Sequence, residues 1–275
     1  MKFIDLKTQN KLIQSKIIFS IKKIMNSSSY IMGEDVNNLE KKLSSFIKSK
    51  HCITVSSGTD ALLISLMSLN ISSGDEVITT PFTWISTGEV IKLVGAKPIF
   101  VDVDEETCNI NTDLIEKKIT KKTKAIVAVS LFGQMYDVDK MRKISKKYKI
   151  PVIEDGAQSF GAKFGKFFSC NSSLIGCTSF FPTKPLGGYG DGGAIFTNND
   201  KIAKICKQIR LHGQIKKNKF IRLGINGRMD TIQCAVVLQK LKLFKQEIIL
   251  RNNVAKNYIQ MLKKTNIGDL EIIQK

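Results

Sequence analysis

Two residues of this 275-residue chain carry chemistries that belong together, Asp155 and Lys184. Asp155 ends the apolar run Pro151-Val152-Ile153-Glu154-Asp155, which breaks into the small-residue loop Gly156-Ala157-Gln158-Ser159. An acid there falls at the carboxyl end of a strand, the edge at which open α/β sheets bind ligands. Lys184 lies in Ser179-Phe180-Phe181-Pro182-Thr183-Lys184-Pro185. Flanking prolines and aromatics predict a sheltered, fixed amine whose desolvation favours the neutral, nucleophilic form. A carboxylate that keeps a pyridine nitrogen protonated and a lysine that forms a Schiff base are the two groups pyridoxal phosphate chemistry requires. Taken singly, an acid capping a turn and a surface lysine are ordinary features, so the neighbouring motifs decide.

Ser56-Ser57-Gly58-Thr59-Asp60-Ala61 follows a strand and opens a helix whose apolar positions are Leu62, Leu63, Leu66, Met67 and Leu69. Small residues, hydroxyls and free N–H groups at a helix start suit a phosphate dianion, although Ser and Thr are also common helix caps. Trp84, the single tryptophan, follows Thr80-Pro81-Phe82-Thr83. A rigid aromatic at a strand end can stack on a flat cofactor ring or fill a core. Gln158 stands three residues after Asp155, so the two can hold opposite edges of a pyridine ring, N1 and the phenolate oxygen. Gly188-Tyr189-Gly190-Asp191-Gly192-Gly193 matches G-x-G-x-x-G, but it precedes the strand Ala194-Ile195-Phe196-Thr197, whereas a dinucleotide fingerprint follows a strand and opens a helix. Its glycines serve close turns beside the lysine. His212 has no triad partner, which gives hydrolytic chemistry little support.

The elements that must position these residues alternate. Apolar runs predict strands over 52–55, 76–80, 97–101, 125–129, 151–154, 177–180 and 194–197. Amphipathic patterns predict helices near 35–49, 60–69, 85–94, 112–119, 138–148, 200–209 and 230–263. Such alternation predicts an α/β fold with a mainly parallel sheet and helices on both faces.

The composition, with 43 basic against 24 acidic residues and a formal net charge of +19, raises the question of nucleic acid. The lysines are scattered over nearly every helix with no basic block interleaved with aromatics, so a solvated lysine-rich surface is the better reading and no nucleic-acid partner is expected. That field would still draw in a doubly charged nucleotide substrate. Six separated cysteines without a Cys-x-x-Cys pair, and only two histidines, predict reduced and mostly buried thiols and no metal site. No apolar stretch reaches the roughly 20 residues of a membrane span. Asp5 interrupts what would be a signal peptide's apolar core, so a cytoplasmic location is expected.

In order, these segments resemble the DegT/StrS-type nucleotide-sugar aminotransferases, pyridoxal phosphate enzymes of fold type I. Six motifs carry the resemblance: Ser57-Gly58-Thr59-Asp60-Ala61, Thr80-Pro81-Phe82-Thr83-Trp84, Glu154-Asp155-Gly156-Ala157-Gln158, Ser179-Phe180-x-x-x-Lys184, Gly190-Asp191-Gly192-Gly193 and Gly224-Ile225-Asn226-Gly227-Arg228-Met229-Asp230. The resemblance implies the fold of the aspartate aminotransferase large domain. It also implies that Gly58, Thr59 and Ser179 hold the cofactor phosphate, Trp84 stacks on its ring, and Asp155 and Gln158 hold N1 and the phenolate oxygen. Lys184 would be the Schiff-base lysine. Asn226 would reach the phosphate of a neighbouring subunit, implying a homodimer, and Arg228 matches a substrate-contacting residue. The implied substrates are glutamate and a UDP-linked 3-keto sugar such as 2-acetamido-3-keto-glucuronate, for a surface polysaccharide. Relatives that remove hydroxyl groups carry histidine in place of Lys184, which disfavours a sugar dehydratase. Family members continue into a small C-terminal domain. The resemblance therefore implies a large domain over 1–245 and the start of an incomplete small domain over 246–275, with an inactive or partner-dependent remnant as the alternative.

Overall fold

The computed structural model describes residues 4–265. In chain order the elements are α1 (Leu6–Ser27), α2 (Glu34–Ile47), β1 (His51–Val55), α3 (Gly58–Ser68), β2 (Glu76–Thr79), α4 (Ser86–Leu93), β3 (Lys97–Phe100), α5 (Thr112–Ile115), β4 (Thr123–Val129), α6 (Val138–Tyr148) and β5 (Val152–Asp155). They continue with β6 (Lys163–Phe164), β7 (Phe167–Phe168), β8 (Ile175–Ser179), β9 (Gly193–Thr197), α7 (Asp200–Ile209), β10 (Gln214–Lys216), β11 (Lys219–Phe220) and α8 (Thr231–Lys264). Seven strands form one sheet in the order β1-β9-β8-β5-β4-β2-β3. The pairs from β3 through β8 are parallel, and β9 runs antiparallel to both β8 and β1. The sheet is thus mainly parallel, as expected.

Burial on both faces explains why the strands other than edge strand β3 read as apolar runs. Along β4, Ala125 and Val127 join the cluster beneath α3, α4 and α7, while Ile126 and Ala128 face α6 on the opposite side. Period-two alternation sends neighbours to opposite layers. On that second face α2 and α8 cover β1 and β9 through Leu39, Leu43, Ile47, Val237 and Phe244, each fully buried. A fully buried side chain of this size contributes about 1.5–3 kcal/mol. α1 lies on α8 through Ile13, Ile17 and Val236, with Gln9 Nε2 donating to Glu247 Oε1 at 2.6 Å.

Differences from the sequence reading are local. The sequence gives no helix over 6–27, yet α1 has 22 residues. Its buried Ile13, Ile17 and Ile24 share the helix with exposed Leu12, Ile18, Phe19 and Met25, so apolar residues occur all round and no single stripe stands out. The helix expected over 112–119 is one α turn followed by a 3₁₀ turn over 116–118. α8 runs unbroken across residue 245, and 266–275 of the segment read as the start of a small domain lie outside the described residues. Among the described residues all six thiols are free, five of them buried, and no helix is long and apolar enough to cross a membrane.

Candidate active site

Asp155 is the last residue of β5, flanked in register by Val129 of β4 and Cys177 of β8. Only 7% exposed, its carboxylate accepts from the Thr87 hydroxyl at 3.0 Å and the Ala157 N–H at 3.2 Å. Burial pushes its pKa above the ordinary carboxylate range, and those two donors and the Lys184 charge pull it part of the way back. Lys184 is half-buried in a loop fastened by its own N–H to the Phe181 carbonyl at 2.9 Å. Desolvation lowers its amine below the usual lysine value, with the Asp155 charge opposing. The two groups named first in the sequence therefore act on each other. Lys184 also borders a cavity of about 300 Å³ shared with Gln9, Glu247 and Arg251.

The loop before α3 lies beside them. Ser57 caps the helix by accepting from the Asp60 N–H at 3.0 Å, and the Ser56 hydroxyl bonds the Asp60 carboxylate. Gly58 and Thr59 precede the first rung of the helix, Ala61 N–H to the Ser57 carbonyl, so their N–H groups point out of the helix end. A Cβ on Gly58 would stand 2.7 Å from the Ser179 Cβ, which brings the end of β8 directly against this loop. Gly193, in the glycine run rejected as a dinucleotide site, has a related reason. A Cβ there would meet the Ser57 carbonyl oxygen at 2.4 Å, so close backbone approach, not a left-handed turn, requires the glycine.

Gln158 is exposed on the loop after Asp155, and Trp84, 72% exposed, stands just before α4. Asn226 and Arg228 are not joined to Asp155 or Lys184 by a hydrogen bond or ion pair among the described residues. Backbone bonds carry them to the α3 end instead, since the Ser56 N–H donates to the Gly227 carbonyl at 3.0 Å and the Gly227 N–H to the Arg210 carbonyl at 3.1 Å. Asn226 is exposed, and the Arg228 Nε is buried without an acceptor.

Sequence reasoning missed two supporting groups. Thr87, fully buried, connects Asp155 to the Thr83 hydroxyl at 3.2 Å, and the four-residue spacing of Thr83 and Thr87 at a helix start was the available signal. Glu154 points to the opposite face from Asp155, fully buried, and accepts from Ser172 at 2.7 Å, Ser169 at 2.8 Å and Ser130 at 3.2 Å. It ties the ends of β4 and β5 to the 169–172 loop, and its position beside Asp155 in a strand was the only hint.

The chain is 50% identical over 98% of its length to the UDP-2-acetamido-2-deoxy-3-oxo-D-glucuronate aminotransferase of Pseudomonas aeruginosa, of which it covers 75%. Its fold superposes at a TM-score of 0.93 on a crystal structure of a DegT DnrJ EryC1 StrS aminotransferase from Brucella abortus, 39% identical, covering 96% of this chain and 73% of that one. A Bacillus subtilis structure with bound cofactor PMP superposes at 0.89, with 34% identity over 94% of this chain and 60% of that one. The profile of the DegT/DnrJ/EryC1/StrS aminotransferase family matches residues 11–273, and the chain belongs to that family.

Proposed function

We propose that this protein is a pyridoxal-phosphate-dependent aminotransferase that moves an amine from glutamate to the keto carbon of a UDP-linked 3-keto sugar. The observation that carries the reading is the pairing of buried Asp155 with the desolvated amine of Lys184, in a chain 50% identical to an aminotransferase of that substrate class. The residues present fit the cofactor. Asp155 is a buried carboxylate served by two neutral donors, and a cationic pyridine N–H is the partner that would stabilise its anion. Gly58, lacking a Cβ, lets Ser179 close on the start of α3, which sets the Ser179 hydroxyl beside the outward N–H groups, a suitable seat for a phosphate.

When bound, the cofactor supplies an aldehyde that takes up amines and a ring that accepts electrons. Lys184 would hold the cofactor through Nζ, and the same amine, when free, would accept and return the proton that moves in the reaction. Its depressed pKa raises the neutral fraction needed for that work. Asp155 keeps the ring nitrogen protonated, and Thr87 orients the Asp155 carboxylate. Gln158 would donate to the phenolate oxygen, Trp84 would cover the ring, Gly58, Thr59 and Ser179 would hold the phosphate, and Arg228 would meet the substrate. Asn226, exposed in a single chain, reaches the phosphate site of a second copy, so the working unit is a homodimer in the cytoplasm. In the same reading 1–245 form the cofactor-binding domain and 246–275 begin the small one.

The test is a pair of half-reactions. Protein reconstituted with pyridoxal phosphate should lose its visible absorbance on mixing with glutamate, release 2-oxoglutarate, and recover that absorbance with a UDP-3-keto-hexose. Failure of glutamate to change the spectrum overturns the reading.

A further inference from the structure

Phe132 occupies a place that nothing described so far uses. It follows β4, one strand from Asp155, and its backbone is left-handed at φ +55°, ψ +24°. An aromatic residue takes that conformation only where its surroundings over-determine it, and such residues gather at ligand sites. Here the constraint is visible. Asn109, 2% exposed, accepts from the Leu131 N–H through Oδ1 at 2.8 Å and donates through Nδ2 to the Gln134 carbonyl at 3.1 Å, bracketing the turn at both ends. The Gln134 N–H closes it onto the Leu131 carbonyl at 3.1 Å. Ser130, just upstream, donates its N–H to the Asp155 carbonyl at 3.0 Å, and a Cβ on Gly133, just downstream, would lie 4.0 Å from the Gln158 carbonyl oxygen. The turn is therefore tied by a backbone bond to Asp155 and passes close to the backbone of Gln158.

What this device holds is an outward ring. Ser130 and Leu131 are buried, whereas Phe132 is 61% exposed. Its ring meets Phe82, 48% exposed, edge-on, with centroids 6.1 Å apart and planes at 65°. Phe82 stands at the carboxyl end of β2, two residues before Trp84, so the ends of adjacent β2, β4 and β5 present Phe82, Phe132 and Asp155 in sequence across the sheet. Two rings set at a steep angle, each partly exposed, make an aromatic corner at the sheet edge. A pyranose offers the complement, a face of polarised C–H groups. Because the corner adjoins the reacting centre, it meets the part of the substrate that reacts, the sugar ring, and not the more distant nucleotide.

We propose that Phe132 and Phe82 form an aromatic wall on which the hexose ring of the nucleotide-sugar substrate lies, and that Asn109 is the positioning residue that holds Phe132 there. This rests on the aminotransferase reading above. In the pyridoxal phosphate holoenzyme, Phe132→Ala should lower kcat/KM of the sugar half-reaction at least about tenfold, mostly through KM, while the glutamate half-reaction falls no more than about twofold. Phe132→Tyr should restore the sugar half-reaction to within about threefold, and Asn109→Ala should weaken it in the same KM-dominated way. Calorimetric titration of the cofactor-free protein with UDP-N-acetylglucosamine reads the wall without turnover and should show the same order of affinities. Equal losses in both half-reactions with cofactor retained would assign Phe132 to the cofactor and overturn the proposal. So would an unchanged sugar half-reaction accompanied by a weaker dimer, or wild-type protein that does not bind UDP-N-acetylglucosamine. Loss of the wild-type glutamate half-reaction alone would defeat the functional reading and leave the titration to judge the wall.

Discussion

Replacing Asp155 by asparagine should separate stability from activity. The carboxylate is buried and burial raises its pKa, so folding carries a penalty for its ionisation. The unfolded chain loses this proton at lower pH than the folded one. The penalty therefore sets in as pH rises from the unfolded toward the folded pKa and is fully present above the folded value. Asparagine removes it without changing shape: Oδ1 can accept from the Ala157 N–H, and Nδ2 can donate to Thr87 Oγ1, whose own proton turns to Thr83 Oγ1 at 3.2 Å. Cofactor-free Asp155→Asn should melt no lower than wild type at neutral pH, with the difference vanishing in acid. The holoenzyme should respond oppositely. Two unit charges in hydrogen-bond contact, about 3 Å apart at an effective dielectric of about 20, attract by about 5 kcal/mol. Losing that partner shifts the ring nitrogen toward its neutral form by several powers of ten in equilibrium, and a slowing of transamination by about 10³-fold or more follows. Stopped-flow absorbance of the glutamate half-reaction measures the rate, and thermal melts of the cofactor-free protein at two pH values measure the stability. A half-reaction within tenfold of wild type would refute the assignment of Asp155 to the ring nitrogen. A large drop in cofactor-free melting temperature would refute the account of its burial.

Lys184→Ala should abolish borohydride-trappable cofactor, read as loss of the mass adduct, and an adduct that survives would move the role to another lysine. Gly58→Ala places a Cβ 2.7 Å from that of Ser179 and should weaken cofactor affinity about tenfold in an equilibrium titration, equivalent to about 1.4 kcal/mol. Arg210, 3% exposed, joins Glu40 at 2.6 Å and the Thr54 carbonyl at 2.8 Å. Arg210→Ala leaves Glu40 as an uncompensated, largely buried charge and should cost about 3–5 kcal/mol in chemical denaturation.

The strands of the main sheet other than β3 were legible because burial on both faces writes an apolar run, and β4, interior on both sides, is the clearest; β3, at the edge with Lys97 and Phe100 exposed, was legible from its short apolar run alone. Antiparallel β9 was not separable from its parallel neighbours, since direction depends on where the chain returns and leaves no mark in a five-residue apolar strand. α1 escaped because its exposed Leu12 and Phe19 blur the stripe made by Ile13 and Ile17. In the candidate site, Asp155 and Lys184 were legible from their own flanks, one a strand breaking into small residues, the other an amine between prolines. Thr87, Glu154 and Asn109 were not, because a hydroxyl, an acid and an amide of common type become informative only when their partners are known. Asn109 meets the 131–134 turn from more than twenty residues away, and no local pattern announces that.

The glycines show why the local and the tertiary cannot be read apart. Gly188-Tyr189-Gly190-Asp191-Gly192-Gly193 invites a phosphate-loop interpretation, and its order relative to β9 excludes the dinucleotide version of it. Yet the run is not idle with respect to phosphate chemistry. Gly193 must lack a side chain because the Ser57 carbonyl occupies the place a Cβ would take, Gly58 must lack one because Ser179 does, and Gly227 accepts from Ser56. Three glycines far apart in the chain thus press the end of β8, the start of β9 and the 226–228 segment against one helix start. A larger residue at 58 or 193 would push the α3 loop away from the strand ends. Four of the six motifs, those that hold Gly58, Ser179, Gly193 and Gly227, are accordingly coupled by close contact at one helix start, so one packing requirement acts on all four.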